Sequence, residues 1–107
     1  MEQLTFEKMQ EMQKIMHEKH KGKWTGLSPE TAMEKLLWLY GEVGEACDII
    51  KKQGVSAVND GGEARARFVE EMIDVLMYFN DIMICFNVSP QELAKAYEDK
   101  FNYNLKR

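Results

Sequence analysis

Two stretches constrain this chain more than any other feature, Leu36 to Ile50 and Phe68 to Phe79. Each carries two carboxylates three residues apart, Glu42 with Glu45 and Glu71 with Asp74. Three residues is close to one helical turn, so each pair projects from one helix face. Packed side by side, the two helices bring four carboxylates together, and these repel one another unless something positive sits among them. A divalent cation is the simplest such group. Helical bundles build metal sites from facing acids in this way, so the chain is read as all-α with one shared metal centre.

Length and composition set the frame. A chain of 107 residues has room for one core, so residues 1–107 are read as a single domain. With 45% hydrophobic residues and only two prolines, it favours helix over disorder, and a net charge of -4 disfavours broad contact with nucleic acid. Cys47 and Cys85 lie in apolar helical stretches with no ligand partner nearby, so both are expected to be small buried hydrophobes rather than a disulfide pair. The first residues carry glutamates where a signal peptide needs an apolar run, and no segment has the length of a membrane span. A soluble cytoplasmic protein without a membrane partner is the expectation.

Four helices are predicted. The first, from Met1 to about Lys21 with Thr5 as N-cap, places Leu4, Met9, Met12 or Met16, and Ile15 at roughly helical spacing. His17 and His20 on it have no third His or Cys and are assigned to the surface. Gly22 to Ser28 reads as a loop around Trp24. Ser28-Pro29-Glu30 then opens a long helix to about Gln53, with Lys51 and Lys52 in its last turn and Gly54 beyond its end. On this second helix Trp38, Glu42, Glu45, Ile49 and Lys52 fall on one stripe with Glu34 at its edge, and Leu36, Leu39, Val43, Cys47 and Ile50 are expected to supply core.

Val55 to Gly62 is predicted as a loop, with Asp60 and Glu63 forming a capping box for a third helix from near Gly61 to about Phe86. From Met72 onward this helix is apolar nearly all round, which predicts burial on all sides and, in so small a chain, a homo-oligomer formed through it. Its polar exceptions, Glu71, Asp74, Tyr78 and Asp81, form one stripe. Glu70 lacks the spacing to Asp74 and is assigned to a neighbouring face. Asp81 reaches either a ligand or water. Ser89-Pro90-Gln91-Glu92 caps a fourth helix, on which Lys100, Asn104 and Arg107 share a face. Taken alone, these three read as an ordinary polar tail.

The candidate ligands are three Glu and one Asp, all oxygen donors, with no Glu-x-x-His and no thiolate. Hard Mg²⁺, or Mn²⁺, is favoured over zinc, and the di-iron carboxylate bundles are disfavoured. Magnesium is normally shared with substrate phosphates, so an open acidic site with Lys and Arg in reach points to phosphoryl transfer on a polyphosphate.

Gly41-Glu-Val-Gly-Glu45, followed by Glu70-Glu-Met-Ile-Asp74, resembles the Glu-x-x-Glu and Glu-x-x-Asp signature of the MazG-like all-α nucleoside triphosphate pyrophosphohydrolases. The closing segment from Lys100 to Arg107 resembles the Lys-x-x-x-Asn-x-x-Arg tail of that family. The likeness spans roughly residues 30 to 107, with its three parts in order. Where many members have Glu-Glu-x-x-Glu, Gly41 stands here in place of the first acid, a form more similar to the dCTP pyrophosphatase branch.

The resemblance implies a four-helix MazG-like bundle completed as a homodimer or homotetramer. It implies Mg²⁺-dependent cleavage of a nucleoside triphosphate between its α and β phosphates, giving the monophosphate and pyrophosphate. Glu42, Glu45, Glu71 and Asp74 would hold the metal or metals, one glutamate helping to deprotonate the attacking water. Lys51, Lys52, Lys100, Asn104 and Arg107 would neutralise phosphate charge. Trp24 and Trp38 stand either as base-stacking residues or as core. Two other readings stay open: a non-enzymatic helical adaptor using its eight methionines as an adaptable face, and a nucleotide-sensing member without efficient turnover.

Overall fold

The computed structural model describes residues 3–107, so Met1 and Glu2, where the sequence predicts the start of the first helix, lie outside the described residues. The architecture is all-α. Helix α1 runs Phe6–Lys19, α2 Ala32–Gln53, α3 Val55–Asn59, α4 Gly62–Cys85 and α5 Pro90–Leu105, with one 3-10 turn at Pro29–Thr31 leading into α2. No described helix is by itself long and apolar enough to cross a membrane.

Local chemistry sets the boundaries. Thr5 Oγ1 accepts from Lys8 N at 3.2 Å and starts α1, and Ser89 Oγ accepts from Glu92 N at 3.1 Å and starts α5 with Pro90 at its first position. Ahead of α2, Thr31 Oγ1 accepts from Ser28 N at 3.2 Å and donates to the Gly26 carbonyl at 2.7 Å, folding the loop back on the helix start. Gly54 ends α2 at φ 93°, a conformation a side chain would oppose, with its N donating to the Ile50 carbonyl at 2.8 Å.

Two expected boundaries are corrected. The segment 55–62 is not simply a loop, because Val55–Asn59 forms the short α3 against α2 and α4. The capping box from Asp60 is not formed: Asp60 ends α3, and Gly61, at φ 102°, precedes α4 with no side-chain cap.

The centre of the fold is the seam between α2 and α4. Thr31 meets Cys85, Trp38 meets Tyr78, and Glu42 meets Glu71, so positions rise along one helix as they fall along the other. The helices are therefore antiparallel, as α3 between them requires. Ala32, Ala46 and Ile49 of α2 and Ile82 and Cys85 of α4 are buried. Burial of α2 thus follows the acid-bearing stripe rather than the opposite faces. Leu36, Val43, Cys47 and Ile50, expected as core, are exposed, while Leu39 is half-buried. The reason is that α4 covers one side of α2, with α3 and the 3-10 turn meeting it as well, and among the described residues no other helix packs on the rest.

Helix α1 packs on α4 through polar side chains together with the Phe6 and Phe79 rings, 6.3 Å apart. Gln10 and Gln13 are buried, and Gln10 Nε2 donates to the Val88 carbonyl at 3.1 Å. Leu4, Met12, Ile15 and Met16, part of the expected apolar stripe, are exposed. Buried Asn80 and Asp81 on α4 decide this, because buried polar groups demand hydrogen-bonding partners: Gln13 and His17 meet Asp81, and Asn80 Nδ2 donates to Met9 Sδ at 3.4 Å. Helix α5 packs against α1 alone among the described helices.

Candidate active site

Glu42 and Glu45 on α2 and Glu71 on α4 each offer a carboxylate oxygen, and these three atoms lie within 4.8 Å of one another. The i, i+3 spacing on α2 aims both glutamates at the seam. Glu71 is half-buried there, and Glu70 beside it is exposed. Asp74 stands outside this trio, one turn further along α4, where it lines a cavity together with Glu42.

The cluster is electrostatically crowded. The Glu42 carboxyl is pushed up from 4.5 to about 8 by hydrogen bonding with Glu71, by burial, by hydrogen bonding with Glu45, and by the charges of Glu45 and Asp74. For Glu71 the strongest single influence, its hydrogen bond with Glu42, acts downward. Hydrogen bonding with Glu45, burial and the charges of Glu45 and Asp74 outweigh it, and its carboxyl is also held above the usual range. Oε2 of Glu42 and Oε2 of Glu71 are buried without a hydrogen-bond partner. Hard oxygen donors in this number, two of them orphaned, fit Mg²⁺ or Mn²⁺.

Beside the acids lies a cavity of about 540 Å³ walled by α1, the loop after it, α2 and α4. Its aromatic lining is Trp24 from the loop, Trp38 from α2 and Tyr78 from α4, with the Trp38 and Tyr78 rings tilted at 6.0 Å. Burial pushes the Tyr78 hydroxyl above its ordinary range, helped by the charges of Glu42, Asp74 and Asp81. Asp81 is buried at the far end of the cavity, where Oδ1 accepts from Gln13 Nε2 at 2.8 Å and Oδ2 lies 3.2 Å from His17 Nε2.

The assignment of His17 and His20 to the open surface is corrected. His17 is largely buried against Asp81 and meets the Trp24 ring edge-on at 5.2 Å, while half-buried His20 stacks on the other side of the loop, 4.1 Å from the same ring. Nothing in the local pattern around the two histidines reveals this. The spacing of Gln10, Gln13 and His17, at i, i+3 and i+7, does mark one polar stripe facing α4.

The other residues that the sequence pattern singles out divide by position. Lys52 lines a second hollow of about 220 Å³ on the other side of the acids, with Glu45, Glu71 and Arg67. Arg67 escapes a reading of the sequence, because nothing in its spacing distinguishes it from a solvated helix residue. Lys100 and Asn104 are exposed on α5 and Arg107 is exposed beyond its end at Leu105, so the expected face of three is not carried by one helix, though Lys100 and Arg107 both lie over the Tyr103 ring at 5.3 and 5.8 Å. Since α5 touches α1 alone, the chain does not bring them to its own acids. Lys35 is a further cavity residue absent from the expected set. It is buried and lines the cavity, and its position seven residues before Glu42 puts it on the same α2 stripe, a signal the helical period contains.

Comparison of the chain with protein-family models, with curated proteins and with solved structures gives no match.

Proposed function

We propose that the chain is a Mg²⁺-dependent nucleoside triphosphate pyrophosphohydrolase, a MazG-like enzyme that yields a nucleoside monophosphate and pyrophosphate. The observation that carries the reading is the carboxylate trio of Glu42, Glu45 and Glu71 within 4.8 Å, opening through Glu42 and Asp74 onto a cavity of nucleotide size. Glu42, Glu45 and Glu71 would hold the metal, with Asp74 adjoining it. Bound there, Mg²⁺ would supply charge neutralisation for the polyphosphate and acidify a water.

The chain's own residues do the rest. The acids fix the position at which phosphates collect, and a glutamate of the set accepts the proton of the attacking water. Trp24, Trp38 and Tyr78 offer faces on which a base can stack. Lys52 and Arg67 beside Glu45 and Glu71 supply positive charge at the far side of the trio, where a leaving pyrophosphate would be stabilised.

The active form in this reading is a homo-oligomer, a dimer or tetramer, in which a second copy completes the helical bundle. Exposed Leu36, Leu37, Tyr40 and Val43 on α2, with Val69, Ile73 and Met77 on α4, support it, since a monomer rarely leaves so much large apolar surface uncovered. Lys100, Asn104 and Arg107 would then meet phosphates belonging to another copy's site.

Pyrophosphate release from a panel of nucleoside triphosphates, with Mg²⁺ and with EDTA, tests the reading. Metal-dependent release supports it. Absence of release from folded, metal-loaded protein overturns it in favour of a helical adaptor.

A further inference from the structure

Lys35 is 1% exposed, and its Nζ has no hydrogen-bond partner. The Glu34 carboxylate stands 4.0 Å away, beyond hydrogen-bonding reach, and the Trp38 ring centre lies 5.5 Å away. Burying a donor in this state is costly, and native structures seldom do so without a use for it. Lys35 also lines the cavity, together with the three aromatic side chains. The donor thus sits buried in the wall of a space lined by rings.

Position decides what that donor meets. Lys35 precedes Glu42 by seven residues on one face of α2, about 10.5 Å along the helix axis. Phosphates gathered at the acids would therefore leave the opposite end of a nucleotide at Lys35. That end is unsuited to phosphate, because buried Asp81 and its neighbour Tyr78 line it and the Asp81 carboxylate repels an anion. A neutral ring between aromatic faces, carrying an acceptor oxygen on its edge, suits it better.

We propose that Lys35 selects the base, its Nζ donating a hydrogen bond to a carbonyl oxygen of a keto-bearing nucleobase. The inference rests on the nucleotide reading above and names its substrate class. Guanine, cytosine, uracil and thymine each present a carbonyl, whereas adenine presents an amino group and ring nitrogens only. With adenine bound, the Lys35 ammonium would meet either an amino group that is itself a donor or a ring nitrogen recessed in the ring edge, so the hydrogen bond made to a projecting carbonyl oxygen is lost or weakened.

The test compares wild type with Lys35→Met, a change that keeps length and removes the donor. The first readout is kcat/KM for the deoxyuridine, deoxycytidine, deoxyguanosine and deoxyadenosine triphosphates with Mg²⁺. The second is quenching of the cavity tryptophans by the four corresponding monophosphates with Mg²⁺, which needs no turnover. Wild type should prefer at least one keto-bearing base over adenine by about 10²-fold or more, and Lys35→Met should bring that ratio within about threefold.

A wild type that handles adenine as well as every keto-bearing base overturns the proposal without recourse to any variant. So does a Lys35→Met protein that loses the same factor with all four bases, since Lys35 would then be only a counter-charge for the acids. If no triphosphate is hydrolysed but monophosphate quenching shows the preference and its loss in Lys35→Met, the hydrolase reading fails and the role of Lys35 stands. If wild type hydrolyses triphosphates with no base preference, the reverse holds. No quenching by any monophosphate together with no turnover overturns both.

Discussion

His17 Nε2 lies 3.2 Å from Oδ2 of Asp81, across the contact between α1 and α4. Asp81 also accepts from Gln13, so one buried carboxylate fastens two turns of α1 to the wall of the cavity. Asp81→Ala strips both side chains of their acceptor and should lower stability by about 2–4 kcal/mol, as loss of one member of a buried polar network does. Asp81→Asn, which keeps an acceptor for Gln13, should cost less. Urea unfolding midpoints measure both, and a double-mutant cycle with His17→Ala isolates the pair.

The crowding of carboxylates in the seam predicts an unusual pH dependence for the metal-free protein. The Glu42 carboxyl is pushed up to about 8 in the fold against 4.5 ordinarily, so between these values the folded chain binds more protons than the unfolded one. Stability then falls as pH rises through this window and levels off above it. Thermal unfolding in EDTA should show the decline, and Glu42→Gln should flatten it and gain stability relative to wild type above pH 8.

Metal should act in the opposite direction to that repulsion. With free Mg²⁺ at 100 times its dissociation constant, the folded state gains about 2.7 kcal/mol if the unfolded chain does not bind it. The rise in melting temperature should vanish with EDTA and be reduced in Glu71→Gln. A melting temperature indifferent to Mg²⁺ and Mn²⁺ would count against a metal centre at these residues.

Turnover should fail before the fold does. Glu42→Gln and Asp74→Asn each relieve repulsion in the metal-free chain, yet each removes charge from the proposed phosphate site. Pyrophosphate release should fall by at least about 10²-fold, the scale on which removal of one stabilising group acts on a transition state. Circular dichroism should stay unchanged. Variants that turn over normally would move the site elsewhere.

Association can be tested at Ile73, which is 42% exposed on α4. In a monomer Ile73→Glu should be nearly neutral, within about 0.5 kcal/mol, as for ordinary surface positions. In a homo-oligomer built on this helix it should dissociate the assembly. Sedimentation velocity on wild type and Ile73→Glu separates the two, with wild type expected at dimer mass or above.

The helices are legible in the sequence where local rules act alone. Thr5, Ser89 with Pro90, and Gly54 each do what their residue type does at a helix end, and the acid spacing on α2 and α4 is a property of the helical repeat. Burial is legible only in part, because it depends on which neighbour arrives. Leu36 and Cys47 have apolar side chains but are exposed, with no described element above them, while Lys35 is buried. The His17–Asp81 pair is illegible because its partners are 64 residues apart, and the polar stripe each belongs to does not say which surface it meets. The same holds for Lys100 and Arg107, whose periodicity predicts one helix face without saying which surface that face meets.

The long loop closure through Asp81 also bears on how the molecule forms. Helices α2 and α4 are joined by the short α3 and can zip together from that turn, a low-contact-order event that costs little chain entropy. Helix α1 reaches α4 and the turn after it through pairings far apart in sequence, His17 and Gln13 with Asp81, Met9 with Asn80, Phe6 with Phe79 and Gln10 with Val88, the His17 pair being 64 residues apart and the Gln10 pair 78. The carboxylate seam therefore assembles ahead of the cavity beside it. During that interval the acids would be in place while the α1 wall is absent, so on the proposed metal reading a divalent ion present during folding would meet Glu42, Glu45 and Glu71 while they are still open to solvent.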